Sequence, residues 1–131
     1  MTHSLSMYGD TFLEHLAHPR NYGEMKDADG VGIVTSSRCG EELRLYIRVS
    51  GDRISEISFL SQGCGATLAS TSVATEMMKG KALEAAMEIS AKQIESACGG
   101  LPTDKVYCAV LAQDALHAAV QDYRERSGLP R

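Results

Sequence analysis

Cys64 stands in "SQGCGATLAS" between Gly63 and Gly65, where an alternating segment gives way to a run of small residues. The spacing predicts that a helix opens here. Free backbone N–H groups and the helix dipole then favour an anion at its start, and for cysteine that anion is a thiolate. Glycine on either side permits positive φ and leaves the sulfur unscreened by neighbouring side chains. A tight strand-to-helix connection that happens to hold a cysteine is the plain alternative; the functional reading is preferred.

Three further cysteines lie at 39, 98 and 108, with no C-x-x-C among them, so any shared cysteine site must be assembled by the fold. Cys39 precedes Glu41 in "SSRCGEEL", and in an extended chain residues two apart share a face. The carboxylate raises the thiol's pKa unless a metal or cation lies between them. A thiol at a strand's end beside a solvated glutamate explains the pair equally well. Cys108 follows "LPTDKVY" at the first turn of the last helix, with Lys105 close by to favour a negative site. Taken singly, its place on the stripe of Leu111 and Ala115 makes it a core residue. Cys98 falls at a helix C-terminus, where the dipole opposes a thiolate, and reads as a buried small hydrophobe.

The four histidines, His3, His15, His18 and His117, are scattered and read as surface or internally satisfied side chains. No Ser/His/Asp grouping, P-loop or G-x-G-x-x-G is present in the sequence, which leaves hydrolase, kinase and dinucleotide readings without support.

The elements that must position these residues are legible. Asp10 to Ala17 forms a short helix closed by His18-Pro19. "VGIVTSS" is a first strand. In "EELRLYIRV", Leu43, Leu45, Ile47 and Val49 alternate with Glu42, Arg44, Tyr46 and Arg48, giving a second strand with one buried and one wet face. "SGD" turns the chain into a third strand, "RISEISFLS", whose alternation slips between Ile54 and Ile57 and suggests a bulge. From Cys64 the period becomes helical through Ala66, Ala69, Val73 and Met77, ending at Lys79-Gly80. "ALEAAMEI" is a short helix. Ser90 with Gln93 makes a capping box, and Ile89 with Ile94 a hydrophobic staple, for a helix from Ala91 to Cys98. The last helix covers about Tyr107 to Arg124, with Leu111, Ala115, Ala119 and Tyr123 inward. Strands first and helices after predict an α+β domain, helices packed on one face of a small three-stranded antiparallel sheet.

The 131 residues suit one domain, 1–131, with 1–8 and 126–131 expected to fray. With no tryptophan and two phenylalanines, the core must be aliphatic. A net charge of −4 argues against nucleic-acid binding, which draws on clustered Lys and Arg. The start lacks signal-peptide character and no segment has the length of a membrane span, so a cytoplasmic protein with reduced thiols is expected.

Together "HPRNYG", "CGEEL", "QGCGATLASTSVATEMMKGK" and "LPTDKVYCAVLAQDAL" resemble the IscU/NifU-type iron–sulfur cluster assembly scaffolds, from about Leu13 to Tyr123. That resemblance implies the same α+β fold and maps the family's three active cysteines onto Cys39, Cys64 and Cys108. It implies a scaffold and carrier rather than a conventional enzyme. Such a scaffold takes sulfur from a cysteine desulfurase, accepts iron, builds a [2Fe–2S] cluster and passes it to apo acceptor proteins, with zinc binding in the cluster-free form. Iron–sulfur clusters favour thiolates, and a scaffold that must release its cargo is served by three cysteines and one weaker ligand. Here Glu41 stands where the family has aspartate, and Tyr107 where many members have histidine, so Glu41 is the expected fourth ligand. Gly63, Gly65, Lys105 and Tyr107 are expected to support the site. A bridging homodimer is compatible with so few ligands and not required by them. In "LPTDK", Asp104 replaces an apolar residue of the motif read by a dedicated Hsp70-type chaperone, which speaks against that partner. A zinc-dependent sulfurtransferase of the related SufU type is the alternative. Those proteins carry a longer insertion before the third cysteine, whereas here 43 residues, 65 to 107, separate Cys64 from Cys108.

Overall fold

The structure is a computed structural model and describes residues 8–36 and 40–128. Three strands, β1 (Gly30–Ser36), β2 (Glu41–Ser50) and β3 (Arg53–Gln62), form an antiparallel sheet in the order β1-β2-β3. Helix α1 (Asp10–Ala17) precedes the sheet. After it come α2 (Gly65–Met78), α3 (Leu83–Glu88), α4 (Ala91–Ala97), a 3-10 turn (Thr103–Lys105) and α5 (Val106–Arg126). The expected α+β architecture is the one observed, with α2 and α5 against the face that carries Leu43, Leu45 and Ile47, all fully buried. Each such aliphatic side chain contributes about 1.5–3 kcal/mol when removed from water.

The slip in the third strand is a bulge. Arg48 pairs with Glu56 but Val49 with Ile54, so Ser55 is the extra residue, and its hydroxyl donates to the Arg48 carbonyl at 3.1 Å. The bulge lets both Ile54 and Ile57 point inward. The second strand's outer face is drier than its alternation implies, and Tyr46 is buried rather than wet. The chain before β1 covers it. Gly23 donates to the Phe59 carbonyl, Asp29 to that of Ile47, and the Arg48 guanidinium to the carbonyls of Lys26 and Asp27.

Helix α5 lies directly on β1. A Cβ on Gly30 would collide with the Ala119 carbonyl, and one on Gly32 with that of Ala115. Asp122 secures the contact by accepting the Val31 N–H at 2.8 Å. Helix α2 is buried almost all round, including Thr67, Ser70, Thr71, Ser72 and Thr75, because α1, β3, α4 and α5 enclose it. The predicted stripe of Ala66, Ala69, Val73 and Met77 is thus one side of a largely internal helix, with Met77 half-buried and Glu76 exposed. The capping box at Ser90 and Gln93 forms as expected, and Ile89 and Ile94 are both buried.

At the ends, Tyr8 stacks on Phe12 with ring centroids 4.1 Å apart, and Arg126 pairs with Asp122. The remainder of the segments expected to fray, residues 1–7 and 129–131, lies outside the described residues.

Candidate metal centre

The strand alternation that turns Leu43 and Leu45 inward does the same to Glu41, two residues earlier. Its carboxylate, 1% exposed, is carried between the starts of α2 and α5. Helix α2 begins immediately after Cys64, which is its N-cap residue in extended conformation. Helix α5 brings Tyr107 and Cys108 in its first turn. Three elements therefore converge on one end of the sheet.

Cys64 Sγ lies 3.9 Å from Cys108 Sγ, 3.8 Å from the Tyr107 hydroxyl and 3.6 Å from Thr67 Oγ1. Tyr107 donates to Glu41 Oε2 at 2.7 Å, and Thr67 donates to Glu41 Oε1. Two thiolates bound at about 2.3 Å to one tetrahedral metal stand about 3.8 Å apart, so the sulfur separation fits a shared metal. Among the described residues, no three His, Cys, Asp or Glu side chains converge as a ready ligand group. The carboxylate of Glu41 is turned toward its two hydroxyl donors.

Electrostatics separate the two thiols. Burial pushes Cys64 up, but the Thr67 hydroxyl, the Thr67 backbone N–H and the Tyr107 hydroxyl outweigh it, and the thiol falls below its usual range against opposition from Glu41. That N–H faces the sulfur without closing a regular cap. Cys108 is fully buried and its pKa is pushed up to about 12 by desolvation. Lys105 is raised, chiefly through attraction to Cys64. Beside Cys64 a cavity of about 190 Å³, lined by Pro19, Tyr22, Ser61, Gly63, Gly65 and Leu68, gives access to the sulfur.

The structure brings several of the residues singled out in the sequence to one place. Glu41, Cys64, Cys108 and Tyr107 come together, with Lys105 at the rim. Cys39 lies outside the described residues, and Gly40 carries φ +64°, so the chain is not extended where it enters β2. The reason for the glycines changes. A Cβ on Gly63 would fall 2.6 Å from Glu41 Oε1 and 2.7 Å from its Cδ, and one on Gly65 would fall 2.9 Å from Leu16 Cδ1. They make room for a carboxylate and for α1; Gly63 does have positive φ, at +159°, and Gly65 does not. Cys98 is buried, its pKa raised to about 11 by desolvation, as a core thiol should be. Thr67 was not anticipated, because a threonine in a small-residue helix carries no periodic signal.

The fold does assemble a serine, a histidine and an acid. His15 Nδ1 lies 2.6 Å from Ser72 Oγ, and its Nε2 lies 3.4 Å from Glu76. Ser72 is fully buried and also accepts the Arg20 N–H, so the group is an internal strut joining α1 to α2 without access for a substrate.

A sheet of three strands backed by helices, with two cysteines meeting where β2, α2 and α5 converge, defines a small α+β domain with a paired-thiol site. The chain belongs to the family of NifU-like N-terminal domains, whose model matches residues 7–129. It is 45% identical over 122 residues to the iron–sulfur cluster assembly scaffold protein IscU 1 of Archaeoglobus fulgidus, covering 93% of this chain and 80% of that one. It is 43% identical over 126 residues to the scaffold protein IscU of Azotobacter vinelandii, covering 93% and 98%. Among solved structures, a NifU-like N-terminal protein from Brucella abortus superposes with TM-score 0.69 at 18% identity, covering 90% of this chain and 94% of that one. No helix among the described residues is long and apolar enough to cross a membrane.

Proposed function

We propose that this protein is a scaffold on which iron and sulfur are assembled into a cluster that is then passed to acceptor proteins. The Cys64–Cys108 pair carries the reading, because its 3.9 Å separation suits two thiolates on one metal. Family membership and the scaffold names of the relatives support it. The cargo in this reading is a [2Fe–2S] cluster held by Cys39, Cys64, Cys108 and Glu41, and the same ligands take zinc when no cluster is present. Three thiolates and one carboxylate bind less firmly than four thiolates, which suits a protein that must release what it holds.

Each residue has a part. Cys64, half-exposed beside its cavity and lowered in pKa, is the thiol suited to receive sulfur from the persulfide of a cysteine desulfurase. Its thiolate attacks the outer sulfur and the donor's thiolate leaves; reduction of that sulfur to sulfide takes two electrons from a separate reductant. Cys108 starts buried and protonated and loses its proton when metal arrives. Lys105 offsets negative charge at the rim.

The test is anaerobic, desulfurase-driven assembly of wild type and Glu41→Ala, followed by iron and acid-labile sulfide analysis and an absorption spectrum. Equal iron and labile sulfide in wild type, with a shorter-lived cluster in Glu41→Ala, is the expected result. Zinc alone without labile sulfide in either protein would move the chain to SufU-like sulfur transfer.

A further inference from the structure

Thr67 is fully buried in the first turn of α2, and its hydroxyl reaches two of the groups that matter. It donates to Glu41 Oε1, and the same oxygen lies 3.6 Å from Cys64 Sγ. A buried carboxylate needs hydrogen-bond donors, and Glu41 receives one at each oxygen, from Thr67 and from Tyr107. The two donors come from different helices, so together they fix the plane of the carboxylate between α2 and α5. The other internal hydroxyls of α2 serve the core: Thr71 Oγ1 is buried without a hydrogen-bond partner, and Ser70 lies against the core thiol of Cys98. Thr67 differs from them in being aimed at the site.

We propose that Thr67 is a positioning residue for the metal site, acting through Glu41 by holding its carboxylate beside Cys64 and Cys108. The inference rests on the reading of Glu41 as a ligand. Hydrogen-bond partners of metal ligands orient them before the metal arrives, and losing one typically costs about 10–100-fold in affinity.

Cobalt(II) is a suitable probe, titrated anaerobically against the whole protein, with its thiolate charge-transfer and ligand-field bands recorded. Thr67→Val keeps the shape and removes the donor. It is expected to bind cobalt about 10–100-fold more weakly and to shift the ligand-field bands while staying folded, with a thermal midpoint lowered by the lost donor. Thr67→Ser restores both. Combined with Glu41→Ala, Thr67→Val should add nothing, because the two act as one unit. Wild-type affinity and bands in Thr67→Val would overturn the proposal, and so would an equal extra loss in the Glu41→Ala background. Thr67→Ala carries the same expectations if the valine variant does not fold. If wild type shows no thiolate charge transfer, the metal-site reading itself falls, and this inference with it.

Discussion

Gly63 and Glu41 occupy one another's space. Any side chain at 63 places its Cβ against the Glu41 carboxylate, which is held by two hydroxyls and has no solvent to retreat into. Gly63→Ala should therefore cost about 1–3 kcal/mol, read as a lower urea midpoint, and should also weaken cobalt binding. An unchanged midpoint with unchanged binding would show that the carboxylate yields freely. At this scale the sequence exposes the cysteines, Glu41 and Tyr107 because their types carry chemistry. It hides the purpose of Gly63, since the clash that excludes a side chain involves a residue 22 positions away (63 minus 41). Thr67 is hidden for the same reason: its role comes from a partner on another element.

Among the elements, α1 is joined to α2 by a small polar joint. His15 meets Ser72 and Glu76, the Arg20 N–H meets Ser72, and Asn21 meets Thr75 at 3.0 Å. Desolvation and the nearby Arg20 hold His15 below its ordinary pKa of 6.5, with Glu76 and Glu14 pulling the other way. The unfolded chain thus binds the proton more readily than the fold does. The contribution of His15 is complete above about pH 6.5 and is lost as pH falls through that value toward the folded pKa. Urea midpoints compared at about pH 7.5 and 5.5 should drop in wild type and drop less in His15→Gln. Equal drops in the two proteins would remove His15 as the cause. The helix starts and stops around this joint were legible from Pro19, Gly80 and the capping box at Ser90. The near-complete enclosure of α2 was not, because serine and threonine read as polar until the fold surrounds them.

Across the whole molecule, the α+β order of elements was readable from the change of period at Cys64. The intimacy of α5 with β1 was not, since "GVG" in a strand looks only like weak β-propensity. Gly32→Ala brings a methyl group onto the backbone of α5, with Ala119 N at 2.7 Å, and the helix cannot yield there without moving as a body. It should cost about 3 kcal/mol, the upper end of what overpacking does, measured by urea unfolding. A loss under about 0.5 kcal/mol, the range of ordinary surface changes, would mean that α5 rides more loosely than the packing implies.

That same backbone-on-backbone seat has a consequence at the far end of α5. Cys108 stands in the first turn of a helix clamped to the sheet through Gly30, Gly32 and Asp122, while Cys64 sits where β3 gives way to α2, beside an open cavity. The molecule resembles a bench vice. One jaw is cast into the bed, the other opens onto the cavity, and the gap between them is set from the fixed side.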